Sequence, residues 1–201
     1  MVITVDSKEI RLVGDKYEYI GADNSGEKAV DLIYDGLVEI FLNKPLHVSG
    51  DVRVNALNCG NLEVDGCVDV KKDANVKKLW APKEDVFVGN NLFAWSVDCF
   101  GLAVKGNAYV LEYIDCDSTI EIHGELRSKT NGALKVRTCN TLSVEGNVEL
   151  DAVEAYAINV GGYLKTAGDV VFCDCLEVED NICCGGKICY DDIDPDSAYE
   201  I

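Results

Sequence analysis

The chain has 201 residues, 36 of them acidic and 18 basic, for a formal net charge of −18. That field repels phosphate backbones and excludes direct binding of nucleic acid; no apolar run approaches the ~20 residues of a membrane helix. The start MVITVDSKEI lacks a signal-peptide pattern, so a soluble, cytoplasmic protein is expected, its ten cysteines reduced thiols rather than a disulfide framework.

Residues 1–29 alternate in VITVDSKEIRLV without repeating and are expected to form an N-terminal cap, because an open solenoid end needs cover. Residues 30–45 (VDLIYDGLVEIFLNKP) read as a degenerate first coil around Gly36. From Leu46 a nine-residue phrase returns seven times, with alternate apolar residues and glycine in the middle. Its copies are LHVSGDVRV (46–54), LEVDGCVDV (62–70), LAVKGNAYV (102–110), IEIHGELRS (120–128), LSVEGNVEL (142–150), INVGGYLKT (158–166) and LEVEDNICC (176–184). A looser copy, VFVGNNLFA, occupies 86–94, and residues 71–85 are expected to bulge from the side as an insertion. Residues 185–201 end in an acidic tail and are expected to cover the far end.

Alternation with period two is the pattern of a strand, not of a helix. Sandwich hairpins would place Asn-Gly or Asp-Gly turns between paired strands, and only scattered candidates occur. The fold expected is all-β: a single-domain parallel β-helix, or solenoid, of about nine coils over 30–184. A 16-residue coil at roughly 3.3 Å per residue has a perimeter of about 50 Å, and successive coils lie ~4.8 Å apart. Glycine at the fifth place is expected to supply a left-handed bend and close backbone approach. Asn91, Asn107, Asn147 and Asn181 follow it at the sixth place, where stacked amides hydrogen-bond along a solenoid. Cys59, Cys99, Cys139 and Cys173 each precede a phrase by three residues, which suggests a ladder of small core side chains.

Chemistry is sparse. His47 and His123 occupy outward places on different coils with no triad around them. The cysteines lack the paired spacing of a zinc site, and the tail DDIDPDSAYE lacks the glycine and final glutamate of a calcium loop. No phosphate-cradling motif occurs. The expectation is no enzyme, no cofactor and no metal. From Glu145 to Glu200 there are fourteen acids against Lys165 and Lys187, while Lys71, Lys72, Lys77, Lys78 and Lys83 form a counter-patch. Phe87, Phe93 and Tyr109 stand at outward places, with Trp80 and Trp95 nearby in sequence. They read either as an exposed patch that anchors a partner or as a satellite core under the 71–85 insertion.

The glycine-punctuated repeat, with Gly50, Gly66, Gly106, Gly124, Gly146 and Gly162, resembles that of bactofilins, bacterial β-helices that polymerise end to end. The resemblance covers about 46–184 and implies a self-assembling cytoskeletal scaffold. The long N-terminal segment and charged tail depart from the bactofilin pattern and would obstruct end-to-end stacking. In shape and charge the chain is similar to acidic pentapeptide-repeat proteins that mimic DNA, though their five-residue code is not periodic here. Small, acidic, non-catalytic character is also similar to that of phage-encoded inhibitors of host defence enzymes. The leading expectation is therefore a non-enzymatic interaction protein that presents a carboxylate-rich face to a basic protein partner. In its most specific form it is a nucleic-acid mimic that occupies the groove of a DNA- or RNA-binding enzyme. The contacts expected are Glu145, Glu149, Asp151, Glu154, Asp169, Asp174, Glu177, Glu179, Asp180, Asp191, Asp192, Asp194 and Asp196, with Phe87, Phe93 and Tyr109. The sequence leaves open whether the rods form homo-oligomers.

Overall fold

In the computed structural model of the protein, residues 2–5, 9–13, 16–20, 32–42, 46–48, 50–129 and 133–191 are described. Strands wind as a parallel β-solenoid of about eight turns. Each turn has three short faces. Face A stacks residues 52–54, 68–70, 86–88, 102–104, 120–122, 142–144, 158–160 and 176–178 in parallel register. Face B runs through 57–59, 74–76, 92–94, 108–110, 126–128, 148–150, 164–166 and 182–184. Face C begins at Leu46–Val48 and ends at Ile188–Tyr190, through 62–64, 79–81, 97–99, 114–116, 136–138, 153–155 and 170–172.

The alternation read from the sequence sets what lies inside. Along Leu102–Val104, Leu102 and Val104 are buried and Ala103 points out; along Ile120–Ile122, Ile120 and Ile122 are buried and Glu121 is exposed. One continuous apolar column results, with Leu62, Leu92, Ile114, Ile120, Leu126, Leu142, Ile158 and Leu164 fully enclosed.

At the start of the chain, Val2–Val5 pairs in parallel with residues 39–42, while Glu9–Val13 and Lys16–Ile20 form an antiparallel hairpin. Leu32–Leu42 is the first long wall strand, and its register against the next turn slips between Tyr34 and Leu37, around Gly36.

Two sequence expectations are corrected. Residues 71–85 do not bulge: Ala74–Ala81 is a wall strand whose Ala74, Val76, Leu79 and Ala81 are buried. The phrase changes phase along the chain. In 46–54 and 62–70 it straddles the corner from face C to face A, whereas from Val86 onward it straddles the corner from A to B. The long interval from Leu62 to Val86 is therefore one ordinary turn plus one step between faces. The turn with surplus residues is the one from Ile120 to Leu142, and it holds them between Ser128 and Lys135, where Leu134 is fully buried.

Glycine at the corners answers to crowding alone; none of Gly66, Gly106, Gly124, Gly146 or Gly162 has a left-handed backbone. A Cβ on Gly106 would lie 2.7 Å from the Asn90 carbonyl oxygen. One on Gly124 would lie 2.7 Å from that of Gly106, and one on Gly146 2.7 Å from that of Gly124. The asparagines explain much of the crowding. Asn91 Oδ1 accepts the Asn107 backbone N–H at 2.9 Å, Asn107 Oδ1 accepts that of Glu125 at 2.8 Å, and Asn147 Oδ1 accepts that of Tyr163 at 3.2 Å. Asp51 does the same for Cys67 at 3.0 Å and Asp169 for Lys187 at 2.7 Å, one at each of the other two corners. In each case the residue just before the receiving N–H is a glycine, because the reaching amide or carboxylate occupies the space a Cβ would need.

Candidate interaction surfaces

The acids of the C-terminal third do not make one face. Glu177 is on face A, Glu149 on face B and Glu154 on face C; Glu145, Glu179 and Asp180 lie at the A–B corner, Asp151 and Asp169 at the B–C corner, Asp174 and Asp191 at the C–A corner. The expectation of a single carboxylate-rich face is corrected to a girdle, because the acids occupy different places within the phrase and so fall on different faces and corners. What is segregated is charge along the axis. Residues 142–191 carry ten acids against two bases, net −8 over three turns, whereas residues 46–129 carry thirteen against nine, net −4 over almost five. Asp192, Asp194 and Asp196 lie outside the described residues.

An open groove of about 610 Å³ runs along face A and the A–B corner within the girdle. Glu145, Glu177 and Glu179 stand round a floor of Ser143, Asn159 and Gly161. Gly161 stacks between Glu145 and Glu179 and puts no side chain between them. Glu145 is oriented from below by His123, whose Nδ1 lies 2.8 Å away and whose Nε2 lies 2.8 Å from Glu121 and 2.9 Å from Lys105 Nζ. Glu177, Glu179 and Asp180 have no cationic partner among the described residues. Glu149 accepts a short hydrogen bond from the Tyr163 hydroxyl, which pushes the phenol above its usual range.

Phe93 and Tyr109 are brought together as the sequence suggested: consecutive turns of face B stack their rings at 5.2 Å with planes 14° apart. Phe87 is not part of this pair and points out from face A. Residues 74–81 are wall strand and do not fold over the rings as a satellite core. The lysine counter-patch is dispersed over all three corners. Lys71 and Lys72 are at A–B, Lys77 and Lys78 at B–C, and Lys83 at C–A, where it meets Asp65 at 3.2 Å beside His47 at 3.1 Å. Those two contacts hold the Asp65 carboxyl below its ordinary range. Sequence reasoning missed Tyr113, Lys129 and Lys135, which adjoin Lys77, Lys78 and Trp95 only after the chain has wound through further turns.

His47 is on face C and His123 at the A–B corner, and neither has a serine or cysteine nucleophile in hydrogen-bond reach among the described contacts. The thiols that stack are Cys99 and Cys116, with Sγ atoms 3.3 Å apart inside face C; Cys139 is exposed. Burial pushes the Cys59 thiol up to about 12, and the Cys99 contact with burial raises Cys116 as well; Cys59, Cys99 and Cys116 are all buried in the walls. Among the described residues no three His, Cys, Asp or Glu side chains converge as metal ligands, and no helix is long and apolar enough to cross a membrane. No protein-family model matches the chain, and no curated protein or solved structure matches it.

Proposed function

We propose that the protein is a non-enzymatic interaction rod whose acid-girdled C-terminal turns engage a basic protein partner in place of nucleic acid. The observation that carries this reading is charge density. Three turns at ~4.8 Å rise span about 14 Å, so a net −8 is close to one charge per ~1.8 Å, beside one per ~1.7 Å for duplex DNA. A girdle suits the role, since duplex DNA is also anionic on every side. The carboxylates are carried on hydrogen-bonded walls, which lowers the ordering cost of binding. Glu145, Glu177 and Glu179, with the gap above Gly161 between them, offer a place for a lysine or arginine side chain.

The test uses the full chain as bait in extract of its native cells. Proteins it retains should be released by added duplex DNA and by salt. They should be lost when Glu145, Glu154, Glu177 and Glu179 become glutamine. Retention that is indifferent to both competitor and charge would overturn the reading.

A further inference from the structure

A second surface, of opposite character, follows the corner where face B passes to face C in the middle turns. Lys77 and Lys78 lie there in one turn and Trp95 in the next; Tyr113 comes in the third and Lys135 in the fourth, paired in register with Tyr113. Lys77 Nζ sits 4.6 Å from the centroid of the Trp95 ring. Lys129 Nζ sits 5.4 Å from the Phe93 ring, joining the Phe93–Tyr109 stack to the strip. Trp95 is 42% exposed and Tyr113 39%. None of Lys77, Lys78, Lys129 or Lys135 has a carboxylate within ion-pair reach among the described residues; Glu112 is the acid set at this corner within the strip's four turns, and Asp151 follows in the turn beyond Lys135. Cations over exposed aromatic faces, left without counter-charges, form a surface that takes an anionic and partly apolar partner.

The chain itself holds such a partner. Its last described turn leaves Ile182, Ile188 and Tyr190 exposed at 42%, 49% and 62%, although the same places two turns earlier are buried. Asp174, Glu177, Glu179, Asp180 and Asp191 belong to that same turn, against Lys187 as its one base among the described residues. We propose that the strip of Lys77, Lys78, Trp95, Tyr113, Lys129 and Lys135 receives the C-terminal end of a second copy of this chain. The contact rests on the reading of the acidic turns as a docking end and names a further surface they fit. Strip and end are different surfaces, so the contact is head-to-side and continues from copy to copy instead of closing as a dimer. The lysines supply charge pairing, and the indole and phenol rings cover the apolar end.

Sedimentation velocity of the full chain at about 0.15 M salt tests this with two charge-reversed variants. One carries Lys77→Glu, Lys78→Glu, Lys129→Glu and Lys135→Glu; the other carries Glu177→Lys, Glu179→Lys and Asp180→Lys. The native protein should gain mass with concentration, and each variant alone should stay monomeric. An equal mixture of the two should associate again, because each then offers the charge the other lacks. Circular dichroism confirms that both variants keep the native strand content. Amide exchange of the native protein, which needs no variant, should slow at residues 93–95 and 182–190 as concentration rises. A native protein that stays monomeric, or association lost only in the end variant, overturns the strip as the receiving surface. If the strip instead binds a labelled oligothymidylate and the lysine variant does not, its occupant is nucleic acid and the proposal is wrong. Loss of self-association with retained DNA-competed capture would leave the function proposed above standing; the reverse result would remove that reading and leave self-association as an independent property.

Discussion

Asp73 accepts the Asn91 N–H behind Asn90 and is an exception, but an Asn or Asp that reaches along the axis usually meets a glycine in the turn above it. Asn107 and Gly124 are such a couple: the amide oxygen that accepts the Glu125 N–H fills the volume of a Cβ on Gly124. Gly124→Ala should therefore destabilise the fold by about 1–3 kcal/mol, a typical cost of forced overpacking, measured by thermal or urea unfolding. Asn107→Ala forfeits one hydrogen bond, worth about 1 kcal/mol. The double variant should lose less than the sum, because the alanine at 107 removes part of what the new Cβ strikes. Asp98 makes a second prediction. Burial, then the charges of Asp115 and Asp117, hold its carboxyl above the ordinary range, despite Arg137. A carboxyl protonated more readily in the folded than in the unfolded chain costs stability at any pH above its folded pKa; the cost fades as pH falls through the two values. Asp98→Asn should raise Tm at pH 7, and the gain should shrink on acidification through the carboxylate range. An unchanged gain at low pH would mean that charge is not its cause.

At the scale of strands and turns, the wall formed by Ala74–Ala81 gives a sharp test of what counts as a unit. Residues 102–119 make one complete turn, so their excision joins Gly101 to Ile120 in the same phase. That shortened chain should keep its strand signal and cooperative melting by circular dichroism. Excision of 71–85, which removes parts of two faces and their buried Ala74, Val76, Leu79 and Ala81, should abolish the cooperative transition. Strand, core and solenoid were legible from residues 46–184 because alternation is local and recurs. The phase was not, because an apolar-x-apolar triplet looks the same on all three faces; only counting face steps shows that 46–54 and 86–94 straddle different corners. The same reason divides the candidate site. Phe93 and Tyr109 share one place in phrases of one phase, so their stacking was readable. Tyr113 and Lys135 lie 22 residues apart across the turn with surplus residues, and no sequence period announces that they meet. The acids from Glu145 to Asp180 hold unequal places in their phrases and so ring the rod.

For the whole molecule, axial polarity matters more than any single face. The middle turns pair many of their charges internally, as Arg53 does with Asp51, Arg127 with Glu125 and Arg137 with Asp115. The late turns leave Glu177, Glu179 and Asp180 without cations among the described residues. Capture of a basic partner should weaken steeply between about 0.05 and 0.2 M salt, as expected when several carboxylates act together. Glu177→Gln with Glu179→Gln should flatten that slope more than Asp51→Asn, whose charge is already engaged by Arg53. Isothermal titration with the captured partner at three salt concentrations measures both.

Parallel stacking has one mechanical outcome. Each turn is held only by the turn above and the turn below, so a load pulling the ends apart meets one rung of hydrogen bonds at a time. Stretched between two beads in an optical trap, the chain should yield as a staircase. Turns of 16 or 18 residues at ~3.4 Å per residue give steps of about 54–61 Å, and the stretch with surplus residues about 75 Å. The molecule would then act as a graded extensible tether, lengthening by increments where a globular domain of equal size would give way at once.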